Sequence, residues 1–321
     1  MHLPLLFFLL AAASLQAQSS LFDSLHRAPD TALLTLTTPW KDLLRGKESK
    51  AYQSLDLYVG GSVYPGRIRP RGNARLRACR YPSLLIKLKK DALEADGLAR
   101  RNDLKLVMQC NDSRSGEAYL HRERFLYGLY REISDYHHRT IPVRVAVNSG
   151  DTLHGFLIET EEELAFRYGA RLLEGASVST RALDRDAYAD LALFNYMILN
   201  TDWNIFNLHN VECLQVEEKT LPVILPYDFD YSGLVDAHYA VPREGLGLKS
   251  VREAAYLGRN LDAEQLQRAG ERFLLKSERL LGLLDAERTI DDRHKAYIRK
   301  RLEEFFQELR DARTYQRLAS G

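Results

Sequence analysis

Cysteine is scarce in this 321-residue chain: only Cys79, Cys110 and Cys213 occur, and no two form a Cys-x-x-Cys pair. That argues against a cysteine-based structural zinc site. An odd count allows one disulfide and one free thiol. Cys79 and Cys110 flank two strand-like runs and can pair, while three unpaired buried thiols stay equally open. Charge of one sign is also lacking. Lys and Arg number 45 against 44 Asp and Glu, a net charge of +1. Neither nucleic acid nor an anionic membrane is therefore expected as the main partner. There is no Gly-x-Ser-x-Gly nucleophile motif, no internal repeat and no low-complexity linker. His121, His137, His138 and His209 are scattered without metal-ligand spacing and read as surface or capping residues. Two carboxylates acting as a glycosidase pair, Asp202 and Asp228, have nothing in the sequence to fix their separation.

Long apolar runs are missing too, with one exception. "MHLPLLFFLLAAASLQAQSS" places an apolar stretch at Leu3–Ala13 before small residues and a cut site after Ala17. That is the layout of a secretory signal peptide. No later segment offers the roughly 18 apolar residues that a membrane span needs. The expectation is an exported chain without a membrane span, in the periplasm, at the cell surface or outside the cell.

An apolar fraction of 45% is present, enough for a large core. Residues 18–50 read as a polar lead-in with a short helix near Leu21–His26. "SLDLYVG" (54–60), "PSLLIKLKK" (82–90) and "DLKLVMQC" (103–110) read as strands. "EAYLHRERFLYGLYREIS" (117–134) has helical spacing of Leu120, Phe125, Leu126, Leu129 and Ile133. Residues 141–160 read as two strands joined by a turn at Asn148–Asp151. The second half is mostly helical, at 184–200, 262–284 and 291–312, and carries a hairpin at 211–230. This is an α+β chain expected to be two-lobed. The parts are a signal peptide (1–17), a lead-in (18–50), a β-rich N-terminal lobe (51–165) and a helical C-terminal lobe (166–321), with a cleft between the lobes.

The chemistry gathers in "LNTDWNIFNLHN" (199–210), one aspartate among four asparagines. Asp202 and Asn207 are five apart, the separation protein kinases use for a catalytic Asp and a metal-binding Asn. The Asp orients the attacking hydroxyl and the Asn carbonyl reaches a metal that bridges phosphates. Asn204 leaves that ligand open between two residues. Beyond the hairpin comes "PYDFDYSG". Asp228 stands where kinases place a metal-binding Asp, and Asp230 takes the place of the glycine. A cation for phosphate is expected from Lys87, with Lys105 the runner-up and Glu123 its acidic partner, Glu117 and Glu132 being on the same helix. "RPRGN" offers Arg69, Arg71 and Asn73, and guanidinium matches phosphate geometry. The glycines at 60, 61, 66 and 72 suit a phosphate-cradling loop or ordinary hairpin turns.

These residues resemble a known group. "RGNARLRACRYPSLLIKLKK", "DLKLVMQCNDS", "YLHRERFLYGLYREIS" and "IPVRVAVNSGDTLHGFLIETEEE" resemble the CotH family, the spore coat protein H type kinases. "LFNYMILNTDWNIFNLHNVECL" and "LPYDFDYSG" are similar to both that family and the HipA-type kinases, and the similarity spreads over about residues 50–235. The resemblance implies an atypical protein-kinase-like fold. It implies ATP with Mg²⁺ or Mn²⁺ and a protein Ser/Thr substrate. Asp202 becomes the catalytic Asp, and Asn207 and Asp228 metal ligands, with Asp230 assisting. Two alternatives accompany it: an inert surface or coat protein that keeps the fold, and transfer of AMP in place of phosphoryl.

Overall fold

The computed structural model describes residues 18–28, 31–148, 150, 152–175 and 177–320. The expected signal peptide, and Ser149 and Asp151 of the expected turn, lie outside the described residues. Within them no helix is long and apolar enough to cross a membrane.

Among the described residues the first element is α1 (Leu21–Arg27), started by a capping box in which Ser20 and Asp23 satisfy each other's backbone N–H. There follow β1 (Ala32–Thr37), α2 (Trp40–Arg45), β2 (Gln53–Val59), β3 (Ser62–Arg71) and α3 (Ala74–Ala78). Next come β4 (Ser83–Leu88), α4 (Lys90–Ala95), β5 (Asp103–Met108), the long α5 (Arg114–Ile133), β6 (Thr140–Val147) and β7 (Thr152–Ile158). The seven strands close into a barrel in the order β1-β2-β3-β4-β5-β7-β6. The segment expected to be a polar lead-in supplies the closing strand. Its β1 runs parallel to β6, with Leu34 opposite Val145. Alternation sends Leu34, Leu57, Ile86, Leu106, Val145 and Leu157 inside, where each is fully buried. Gly60 and Gly61, at φ +56° and +93°, form the β2–β3 turn. Both central residues of that turn need positive φ, so these two glycines serve a hairpin.

The rest of the chain is α6 (Glu161–Arg167), β8 (Ala170–Leu172), α7 (Arg185–Met197), β9 (Val211–Val216) and β10 (Val223–Pro226), then α8 (Ala263–Leu275), α9 (Ser277–Ala286), α10 (Asp292–Leu309) and α11 (Ala312–Ser320). A small sheet, β10-β9-β8, carries the expected hairpin. The fold is mixed α/β with two apolar clusters. One fills the barrel. The other joins α5 to α7, α8, α10 and the small sheet. The helix expected over 262–284 is two helices that meet at Lys276. Neither Pro nor Gly stands at the break. Lys276 Nζ instead donates to the Glu132 carbonyl in the last turn of α5, where the helix dipole favours a cation.

Cys79 and Cys110 form a disulfide across a separation of 31 residues, and Cys213 is a buried free thiol. The bridge ties the end of α3 to the residues after β5. Changing both to serine frees that loop in the unfolded chain and is expected to lower stability by about 2–4 kcal/mol. Urea unfolding of the double variant beside the oxidised parent checks this.

Candidate active site

The loop after α7 is held by its asparagines. Asn200 Nδ2 donates to Asn195 Oδ1 at 2.9 Å, and Asn200 Oδ1 accepts the Asp202 N–H at 3.0 Å. Asn204 and His209 exchange backbone hydrogen bonds, each 2.9 Å, and so close a tight turn with residues 205–208 at its tip. The chain then doubles back onto Asp202. Asn210 Nδ2 donates to the Asp202 carbonyl at 2.8 Å and to Oδ2 at 3.0 Å. His209 Nε2 lies 2.9 Å from Oδ1. Both carboxylate oxygens are thereby aimed. The Asp202 carboxylate in turn raises the pKa of His209 through that hydrogen bond.

The hairpin β9–β10 delivers the second acidic segment. Asp228 sits at φ +60°, left-handed backbone that only a few residue types tolerate. Its N–H donates to the Tyr127 hydroxyl of α5 at 2.8 Å. Phe229 is fully buried, its ring 4.6 Å from Tyr127 and 5.6 Å from Phe194 of α7. Packing and hydrogen bonding together hold the aspartate in a conformation it would not choose alone. Asp230 is buried and accepts from Tyr239 Oη at 3.0 Å.

The barrel supplies the facing wall. Arg71, Ser83, Lys105, Val107 and Ile158 line one side of a 270 Å³ cleft, and Glu123 and Tyr127 of α5 another. Asp202, His209, Asn210, Asp228 and Asp230 line the side opposite the barrel. Lys105 makes a short ion pair with Glu161 at the start of α6 and lies 3.9 Å from Glu212 of β9. Burial pushes the Glu212 carboxyl up to about 8 against the pull of Lys105, with Glu161 and Glu159 adding to the rise. Burial works the same way on Glu161, but Lys105 outweighs it there and the pKa is lowered. Glu161 is thus the charged partner of Lys105. Arg71 makes no ion pair among the described residues and lines the cleft.

Glu123 pairs with Arg75 of α3 at 2.6 Å, and both side chains are buried. Arg75 Nη2 also donates to the Met108 carbonyl at 3.2 Å. Burial raises the Glu123 pKa; Arg75 opposes this and Asp228 adds to it. Asp230 is raised well above the usual carboxylate range by burial, then by Asp228 and Glu123. Burial would push Arg75 down, but Tyr239, Glu123 and Asp230 hold it up. Glu123 and Asp230 therefore share one buried cation, and Asp228 acts on both carboxylates. Asp228 and the Asn210 amide oxygen, which line the same cleft, are hard oxygen donors of the kind Mg²⁺ or Mn²⁺ takes.

Of the residues singled out from sequence, the structure brings Asp202, Asp228, Asp230, Lys105, Glu123 and Arg71 together. Two are elsewhere. Lys87 lies opposite Asp103 in the β4–β5 ladder and pairs with it at 3.0 Å, half-exposed and outside the cleft. Asn207 is exposed at the tip of the loop, and Asn204 accepts the Phe206 N–H at 2.8 Å within it. Glu123 has Arg75, not a lysine, as its partner. Arg75, His209 and Asn210 are the residues that sequence reasoning missed. The nearest signal for the last two was the pair His209–Asn210 directly before the β9 run, which read as a lead into the strand.

No protein-family model and no curated protein matches the chain. Among solved structures, a crystal structure of a Helicobacter pylori proinflammatory kinase, CtkA, is similar with a TM-score of 0.43 and 8% identity, over 73% of this chain and 94% of that one.

Proposed function

We propose that the chain is an atypical, divalent-metal-dependent phosphotransferase that moves the γ-phosphoryl group of ATP to a protein hydroxyl. The observation that carries this reading is the meeting, in one cleft, of an aimed carboxylate (Asp202), a buried carboxylate group around Asp228, and the cations Lys105 and Arg71. Phosphoryl transfer needs these parts and little covalent chemistry from the protein. In this reading the barrel and the helical half are the two lobes around the cleft. Asp228 and Asn210 would hold the divalent cation, with Asp230 assisting. The cation supplies charge neutralisation at the phosphates. Lys105 and Arg71 hold phosphate oxygens. Asp202, fixed by His209 and Asn210, accepts the proton of the acceptor hydroxyl as its oxygen bonds to phosphorus and the bond to ADP breaks. The acceptor is a serine or threonine of a partner protein. The disulfide and the apolar leader support placement in an oxidising compartment outside the cytoplasm.

The test is label transfer from ATP in Mg²⁺ or Mn²⁺, to the protein itself and to a generic acceptor protein. Label from the γ position is expected, and label from the α position would instead indicate AMP transfer. Asp202→Asn is expected to lower the rate about 10²–10⁴-fold, the range for a positioned proton acceptor. An unchanged rate removes Asp202 from the mechanism.

The two asparagine positions give a separate check. Asn210→Ala is expected to lower the rate by about 10²-fold, because it takes both a metal donor and a clamp from Asp202. Asn207→Ala is expected to leave it unchanged. The reverse ranking, in matched initial rates, would restore the five-residue spacing as the working one.

A further inference from the structure

The outer face of the barrel, away from the cleft, brings together three side chains that the proposed phosphotransfer does not use. Glu117 and His121 stand one turn apart near the start of α5. His154 reaches them from β7. Glu117 Oε1 lies 3.1 Å from His121 Nε2 and 3.6 Å from His154 Nε2. The three ligand atoms all lie within 4.8 Å of one another.

We propose that Glu117, His121 and His154 form a binding site for a borderline divalent transition cation, Zn²⁺ in the first place, that clips α5 to the barrel. Zinc takes imidazole nitrogen and carboxylate oxygen at about 2.0–2.2 Å, which puts neighbouring donors of a tetrahedron about 3.4 Å apart. The two separations at Glu117 bracket that value. An ordinary helical Glu–His pair accounts for the shorter one only. At 3.6 Å, His154 is beyond hydrogen-bonding distance, yet its Nε2 approaches the same oxygen. The His121 and His154 rings meet edge-on, with centroids 5.9 Å apart at 68°. Both can therefore turn a lone pair to one point. All three residues are half-exposed, which leaves the fourth position to water.

The donor set separates this site from the cleft. Two imidazoles and one carboxylate select Zn²⁺ over Mg²⁺, whereas the carboxylates around Asp228 select the harder ion. The position gives the site a consequence. Glu117 and His121 sit on the helix that also presents Glu123 to Arg75 and Tyr127 to the Asp228 N–H. A cation held between α5 and β7 fixes the opening turns of that helix. The backbone N–H of His154 donates to Gln109 Oε1 at 2.7 Å and so anchors the strand end of the clip.

The test is Co²⁺ titration of the chelator-treated full chain, followed by displacement with Zn²⁺ in excess Mg²⁺. One equivalent is expected to bind with the strong visible absorption of a tetrahedral site, any Co²⁺ taken by the cleft absorbing only weakly, and Zn²⁺ is expected to abolish that band. His154→Gln and His121→Gln are expected to weaken binding at least ~100-fold, with the metal-free melting temperature unchanged for His154→Gln, whose side chain makes no hydrogen bond among the described residues. Asp228→Asn is expected to bind Co²⁺ as the parent does. That result keeps this site apart from the phosphotransfer reading, which can fail without touching it. No Co²⁺ band in the parent, equal binding by His154→Gln, or loss of the band in Asp228→Asn overturns the proposal. Should His121→Gln fail to fold, the His154→Gln titration decides alone.

Discussion

Asp228→Asn is expected to reduce phosphoryl transfer by about 10³-fold or more, the scale on which a preorganised charged group acts on phosphate, while the folded state survives. Survival follows from the backbone. Residue 228 sits at φ +60°, and asparagine tolerates the left-handed region as well as aspartate does. Asp228→Ala would add a penalty of about 1–2 kcal/mol for that conformation and confuse the reading. The N–H to Tyr127 is backbone and stays in either variant. The amide cannot supply the charge, and neither neighbour can replace it: Glu123 is committed to Arg75 and Asp230 to Tyr239. Asp228 also raises the pKa of both Glu123 and Asp230. Removing its charge relieves that repulsion, so the metal-free variant is expected to be at least as stable as the parent. Loss of function with equal or greater stability is the mark of a group placed for chemistry at the expense of the fold. Initial rates with ATP and Mn²⁺, beside urea unfolding in chelator, measure both halves. Retained transfer, or a clear loss of stability, would sink the assignment.

The features that sequence made legible are local ones. Helix α5 and the 185–197 helix show their period in the apolar residues, and the hairpin shows itself in β-branched runs around polar turn residues. The acidic pair Asp202 and Asp228 followed from the order helix, loop, hairpin, turn. What was not legible depends on pairing between distant segments. Strand β1 closes the barrel through partners more than 100 residues away, such as Leu34 with Val145, and nothing near it in sequence announces that. Strand β3 carries Pro65 and Pro70, which argue against an interior strand, yet it lies between β2 and β4. The choice of lysine was a register question. Alternation puts Lys87 and Lys105 on the same outward face, but Leu85 is opposite Lys105 and Asp103 is opposite Lys87. Only that pairing sends Lys105 to the cleft. Asn207 stands outside the cleft lining for a similar reason. The backbone bridge between Asn204 and His209 turns the tip outward and returns Asn210, three residues later, to Asp202.

Arg75→Met is expected to destabilise the protein by about 3–5 kcal/mol, the cost of leaving one member of a buried ion pair without the other. Glu123 is 2% exposed and Arg75 5%, so neither charge reaches water. Glu123→Leu is expected to cost a similar amount, because arginine cannot shed its proton to escape. The double change, Arg75→Met with Glu123→Leu, removes both charges and keeps apolar volume. Its cost is expected to fall well below the sum of the singles, giving a coupling energy of the order of 2–3 kcal/mol for groups in contact. A cleft made only for stability would then behave normally. The geometry argues for more than stability. Arg75 joins α3 to the Met108 carbonyl at the end of β5, and Glu123 joins it to the helix that carries Tyr127 and through it Asp228. Lys105 lies on β5 and Asp228 beyond the hairpin, so this pair helps to tie the strand that carries Lys105 to the helix that fixes the Asp228 backbone. The double variant is therefore expected to be folded, destabilised by clearly less than the two single changes together, and impaired in phosphoryl transfer mainly through a raised KM for ATP. Parent-like kinetics in a stable double variant would reduce the pair to packing. A double variant as unstable as the sum of the singles would deny that the two charges compensate each other at all.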